Sequence, residues 1–185
     1  MQALEPESGL LLVVDLQEKL LGAMPSDAAA RLIKNTLALL EAARILRIAV
    51  LATEQYPKGL GRTVHPIAEA LTSRQAAPID KLVFDACSEP RFDAVLTKLA
   101  PRSVVIAGVE THICVFQTGR ELVNRGLDVR IAGDAVASRD ELNRDRGLAL
   151  CERAGAIVMP MESVVYDWVR RAGSDEFKAI SKLLR

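Results

Sequence analysis

At 185 residues, half of them hydrophobic and 26% charged, the chain has the composition of one globular domain with a buried core and no disordered tail. Its 24 basic residues match 24 acidic ones, so no positive surplus is available to hold nucleic acid or an anionic membrane, and no apolar run reaches spanning length. The start, Met1 to Gly9, is polar and acidic where a secretory signal needs a basic and then apolar stretch, and the three cysteines neither pair evenly nor take metal-ligand spacing, which predicts a reduced, cytoplasmic protein.

Gly9 to Asp15 is an apolar run ending on a carboxylate, the pattern of a buried strand with Asp15 at its carboxyl end. Asp27 to Arg47 carries Leu32, Ile33, Leu37, Leu40 and Ala43 at helical spacing, with Ser26 or Asp27 as N-cap. Ile48 to Thr53 reads as the second strand, and Glu54 to Gly61 as a loop whose proline and glycines cannot continue it. Lys81 to Asp85 reads as a third strand, with the lysine at its start. A helix opens at Glu89 with Pro90 in its first position and runs to about Leu99. Ser103 to Ala107 is the fourth strand, Thr111 to Arg125 a helix, Asp128 to Ala132 the fifth strand, Glu141 to Ala154 a helix, and Ala156 to Met159 the sixth strand. Ser163 to Arg171 and Asp175 to Leu184 read as terminal helices.

Strand and helix alternate with short connections, which predicts an α/β fold of three layers, a six-stranded, mostly parallel sheet with helices on both faces, spanning residues 1–185 as one domain. In such sheets ligands bind beyond the carboxyl ends of the strands. Asp15 lies there. So does Cys114, in the first turn of a helix, where free amides and the helix dipole favour a thiolate; an inert packed thiol fits the same segment. Lys81 reaches that edge only if its segment is irregular. Gly108 lacks the further glycines of a dinucleotide loop, and His65 and His112 stand without metal-ligand companions, so neither a cofactor nor a bound metal is expected. Asp15, Lys81 and Cys114 remain: a base, a cation and a nucleophile.

Val-Val-Asp-Leu-Gln at 13 to 17, Lys81 with Phe84 beyond it, and Ala-Gly-Val-Glu-Thr-His-Ile-Cys-Val at 107 to 115 resemble the isochorismatase-like cysteine hydrolases over nearly the whole chain. Thr53 to Gly61 looks like the loop of the small single-domain members, and Gly133 to Arg139 like a later strand-end motif. The resemblance implies an Asp15, Lys81, Cys114 triad, an oxyanion hole made by the backbone amides of Glu110 and Cys114, and a cis peptide bond between Val109 and Glu110. Nicotinamidases of the superfamily carry a metal site built on Asp-x-His, and here Glu54-Gln55-Tyr56 stands in its place. True isochorismatases generally lack the cysteine.

The expectation is therefore hydrolysis of a small amide or related carbonyl compound through a thioester. The alternatives are vinyl-ether hydrolysis of the isochorismatase type and a weakly active, protein-binding assembly subunit. Gln17 and Gln55 are candidates for orienting substrate or are solvated loop residues; Tyr56 and Phe84 line a substrate pocket or belong to the core. A homo-oligomer, at least a dimer, is expected from the resemblance. The apolar stripe Phe177, Ile180, Leu183 and Leu184 would cover either a neighbouring subunit or the chain's own sheet.

Overall fold

The computed structural model describes residues 3–184. Six strands, β1 (Gly9–Val14), β2 (Ala49–Gln55), β3 (Ile79–Lys81), β4 (Ser103–Val109), β5 (Asp128–Ala137) and β6 (Ile157–Met159), form one sheet in the order β3-β2-β1-β4-β5-β6. Every pairing in it is parallel. The helices are α1 (Glu18–Gly22), α2 (Ser26–Ile45), α3 (Pro57–Leu60), α4 (His65–Thr72), α5 (Pro90–Leu99), α6 (Phe116–Asn124), α7 (Glu141–Arg153), α8 (Met161–Val169) and α9 (Asp175–Leu183).

The central strands β1 and β4 are buried along their whole length. Their side chains divide by alternation. Leu11, Val13, Val105 and Ala107 join the core shared with α2, α4 and α8, while Leu10, Leu12, Val14, Val104 and Ile106 join the core shared with α5, α6 and α7. Apolar runs without polar interruption are what a sheet covered on both faces requires. Half of the C-terminal stripe covers this chain: Ile180 is fully buried in the first of these cores and Leu184 packs against it, while Leu183 stays 37% exposed.

Several boundaries differ from the sequence reading. The strand expected over 81–85 lies earlier, at Ile79–Lys81, so Lys81 ends its strand and stands at the carboxyl edge. The apolar run Leu82 to Phe84 that suggested a strand is exposed, Leu82 to 74%. Strand β2 continues through Gln55, and the loop after it contains a helical turn, α3, entered through Tyr56 in the left-handed region (φ 37°) with Pro57 at its first position. Helix α2 starts at Ser26 behind Pro25, with no side-chain cap. Between β4 and β5 the register shifts: Ile106 faces Ile131 but Gly108 faces Val136, so β5 runs to Ala137 after an irregular stretch.

The sheet order reverses direction between β1 and β4, the place where open parallel sheets leave a crevice. Gly108 marks that point with φ +132°, and a Cβ there would lie 2.1 Å from the Val14 carbonyl oxygen. Only glycine lets the two strand ends lie this close.

Candidate active site

Asp15 follows β1 directly and takes a left-handed backbone (φ 53°), a conformation that aspartate tolerates better than most residues. Its side chain is wholly buried, as is that of Lys81, and the Lys81 Nζ donates to Asp15 Oδ2 at 2.7 Å. The second carboxylate oxygen, Oδ1, accepts from Thr53 Oγ1 at 2.7 Å. A buried ammonium has three protons to place. Besides Asp15, Lys81 donates to Gln55 Oε1 at 2.7 Å and lies 3.4 and 3.5 Å from the carbonyl oxygens of Val83 and Phe84. Two opposite charges out of water thus satisfy one another, and neither can be removed without stranding its partner.

Strand β4 ends at Val109, the Val109–Glu110 peptide bond is cis, and a π-helical turn, Thr111–Val115, leads into α6. Cys114 lies in that turn, 6% exposed, where the charges of both Asp15 and Lys81 act on its thiol. Burial pushes the thiol up to about 12 from 9.0; the Asp15 charge adds to the rise and Lys81 opposes it. The thiolate expected at a helix start is therefore not the resting form. Desolvation outweighs the cation, and the neutral thiol sits beside a carboxylate that can accept its proton. Helix α7 supports the turn from behind. A Cβ on Gly147 would lie 2.7 Å from His112 N and 2.8 Å from both His112 Cα and the Thr111 carbonyl carbon.

The two glutamines face the protein, not solvent. Gln17 Nε2 donates to the carbonyls of Gln55 (2.9 Å) and Gly61 (2.7 Å), and its Oε1 accepts from Gln55 N at 2.7 Å. Gln55 in turn gives its Nε2 to the Leu82 carbonyl at 2.9 Å while its Oε1 faces Lys81. Both amide donors of Gln17 are thereby taken by backbone, and Gln55 links the ammonium to the segment that follows it. Tyr56 and Phe84 are each 51% exposed and so are not core residues. Tyr56 helps to line a cleft of about 290 Å³ with Pro57, Lys58, Leu82 and Glu89.

Thr53 and Glu54 were not singled out from the sequence. Thr53 pairs with Val14 across β1 and β2, which sets its hydroxyl beside Asp15; the available signal was a polar residue ending an apolar strand next to another that does the same. Glu54 is 3% exposed and accepts from Thr63 N, Thr63 Oγ1 and Arg62 Nη1, each at 2.7 Å. Those bonds hold its carboxyl below the usual range although burial, the largest influence, acts the other way. The carboxylate clamps the loop, and among the described residues no three His, Cys, Asp or Glu side chains are grouped to hold a metal ion.

Residues 9–163 match the family model of the Isochorismatase domain. The chain is 35% identical over 183 residues to the secreted isochorismatase effector Isc1 of Phytophthora sojae, covering 97% of this chain and 86% of the relative. Among solved structures, one described as the MAR1 ribonuclease from Caenorhabditis elegans superposes with a TM-score of 0.89 at 37% identity, covering 99% of this chain and 92% of that one. The YcaC gene product of Escherichia coli, described as an octameric hydrolase of unknown specificity, shares the fold with a TM-score of 0.89 at 23% identity, over 98% and 89% of the two chains.

Proposed function

We propose that this chain, which belongs to the isochorismatase family, is a cysteine-dependent hydrolase of a small amide or related carbonyl compound that works through a thioester. One observation carries the reading: a fully buried Asp15–Lys81 ion pair at the carboxyl edge of the sheet, with the charges of both groups acting on the Cys114 thiol. A base, a cation and a sulfur nucleophile converge there, the set that nucleophilic catalysis requires.

In this mechanism Asp15 takes the Sγ proton as sulfur bonds to the substrate carbonyl carbon, and the carbonyl electron pair moves onto oxygen. Burial pushes the thiol up, which favours moving its proton to Asp15 as the sulfur attacks. The backbone amides of Glu110 and Cys114 receive the oxyanion, each worth about 3 kcal/mol on the usual cost of losing such a donor. The oxyanion collapses, the C–N bond breaks, and Asp15 returns its proton to the leaving nitrogen. Water then gives a proton to Asp15 and attacks the thioester; the C–S bond breaks, and sulfur recovers the proton. Lys81 offsets the negative charge throughout.

Tyr56 and Phe84 are the substrate-facing side chains in this reading. Gln55 acts through Lys81 and Gln17 through Gln55, as positioning residues. The even charge balance supports a small substrate over a polyphosphate chain. We read the protein as cytoplasmic, supported by three free, buried cysteines, and as a homo-oligomer, supported by the octamer described for the YcaC product and by the exposed Leu82 and Phe84 beside the site.

The test is a turnover screen of small amides and ureido compounds with wild type and Cys114→Ser in parallel. Turnover by wild type that the serine variant lacks is expected. Turnover kept by Cys114→Ser would end the thioester reading.

A further inference from the structure

Strand β5 reaches the candidate site only because of its irregular stretch. At Ile106↔Ile131 the pairing offset would set Ala135 beside Glu110, whereas the offset at Val109↔Ala137 sets Ser138 there and Arg139 just beyond. Arg139 meets the Glu110 side chain, and Ser138 meets His112 beside it. The Glu110 carboxylate, 7% exposed, accepts from Arg139 N at 3.4 Å (Oε2) and lies 3.5 Å from Arg139 Nε (Oε1). His112 Nδ1 is 3.8 Å from Oε2 and 3.0 Å from Ser138 Oγ. The other end of the residue is held as well, since the Glu110 carbonyl accepts from Ile113 N at 3.0 Å and Val115 N at 3.3 Å.

We propose that Glu110 and Arg139 are a positioning pair that fixes the direction of the Glu110 amide, so that this N–H points at the developing oxyanion. The proposal rests on the thioester reading above. A buried carboxylate must find donors, and these come from a neighbouring strand end; with the side chain held by Arg139 and the carbonyl by the next turn, two substituents of the Glu110 Cα fix where its nitrogen sits, and the strand fixes the Val109 Cα, so the peptide plane that carries the Glu110 N–H has little freedom to turn. An amide locked at both ends needs no reorganisation when charge develops on the substrate oxygen. Arg139 touches no reacting atom in this scheme, and its effect passes entirely through Glu110.

Two reactions of the same sulfur separate this role from a general structural one. Acylation by p-nitrophenyl acetate forms an oxyanion: sulfur bonds to the acetyl carbon and p-nitrophenolate leaves. Alkylation by iodoacetamide displaces iodide and forms none. In Glu110→Gln and Arg139→Ala the Cys114-dependent burst of p-nitrophenolate is expected to slow by about tenfold or more while alkylation of Cys114 stays within about twofold of wild type. Arg139→Lys is expected to recover part of the burst rate. Equal bursts in wild type and variants would overturn the positioning pair and leave the thioester reading standing. A parallel fall of both reactions would also overturn it, by showing a disturbed turn instead of a misdirected amide. A wild-type protein without any burst that Cys114→Ser abolishes would sink the thioester reading and the pair together.

Discussion

Replacing Gly147 by alanine should separate stability from activity. The three atoms nearest the added Cβ would all be backbone, His112 N at 2.7 Å and His112 Cα and the Thr111 carbonyl carbon at 2.8 Å, so the clash cannot be relieved by a swinging side chain. Relief to ordinary contact requires α7 and the cysteine turn to part by about 0.7 Å. Overpacking of this kind costs about 1–3 kcal/mol. Alanine in a helix interior returns about 1 kcal/mol relative to glycine. The net loss of about 0–2 kcal/mol corresponds to a fall in Tm of no more than about 8 °C for a chain of this length. Catalysis should suffer far more, because displacing a reacting group by a sizeable fraction of an ångström costs up to about a hundredfold. Calorimetry and the p-nitrophenyl acetate burst, with Gly22→Ala as a control whose Cβ meets nothing within 4 Å, would measure both effects. A folded Gly147→Ala protein that acylates at the wild-type rate would refute the claim that this helix sets the position of Cys114.

Thr53→Val keeps the side-chain shape but removes the bond to Asp15 Oδ1, and urea unfolding is expected to show a loss of about 1.5–3 kcal/mol with slower acylation. Lys81→Met strands a buried carboxylate, so a loss of about 3–5 kcal/mol and no detectable acylation are expected, and an unchanged unfolding midpoint would count against the ion pair. Cys87, Cys114 and Cys151 are each pushed up by burial to about 12 from 9.0. Because the unfolded chain gives up these protons first, the stability they contribute is complete below pH 9 and is lost as pH rises towards 12. Unfolding in urea at a series of alkaline pH values should show that decline, and Cys151→Val should make it shallower.

The sequence pattern revealed the strands that matter most, because β1 and β4 are covered on both faces and burial there leaves an uninterrupted apolar run. It misplaced β3 for the same reason. Leu82 to Phe84 are apolar yet exposed, and periodicity reads hydrophobicity as burial. The true strand, Ile79–Lys81, holds two buried residues around an exposed aspartate, too short a signal to stand out. Asp15 was legible as a residue at a strand end and Cys114 as one in the first turn of the helical segment after a strand. The glutamines were legible as polar residues near them but not by role: whether an amide faces substrate or backbone is fixed by partners distant in sequence, such as Gly61 and Leu82. Thr53 and Arg139 came into view only through register, one through the pairing of β1 with β2 and the other through the shift between β4 and β5.

The sheet order also explains why the cation is a lysine. Asp15 and the cysteine turn follow β1 and β4, which are neighbours, so short side chains suffice to bring them together. Lys81 ends β3, with β2 between it and β1, and two strand spacings amount to about 10 Å. A lysine side chain, reaching about 6 Å from its Cα and met by the aspartate across a 2.7 Å hydrogen bond, closes that gap with length to spare. The stem must cross β2, and Gln55, which pairs with Lys81 in register, supplies the acceptor its ammonium meets on the way to Asp15. A buried amide at that crossing satisfies the ammonium without a second negative charge, which leaves the Lys81 charge directed at Asp15 and at the sulfur beside it.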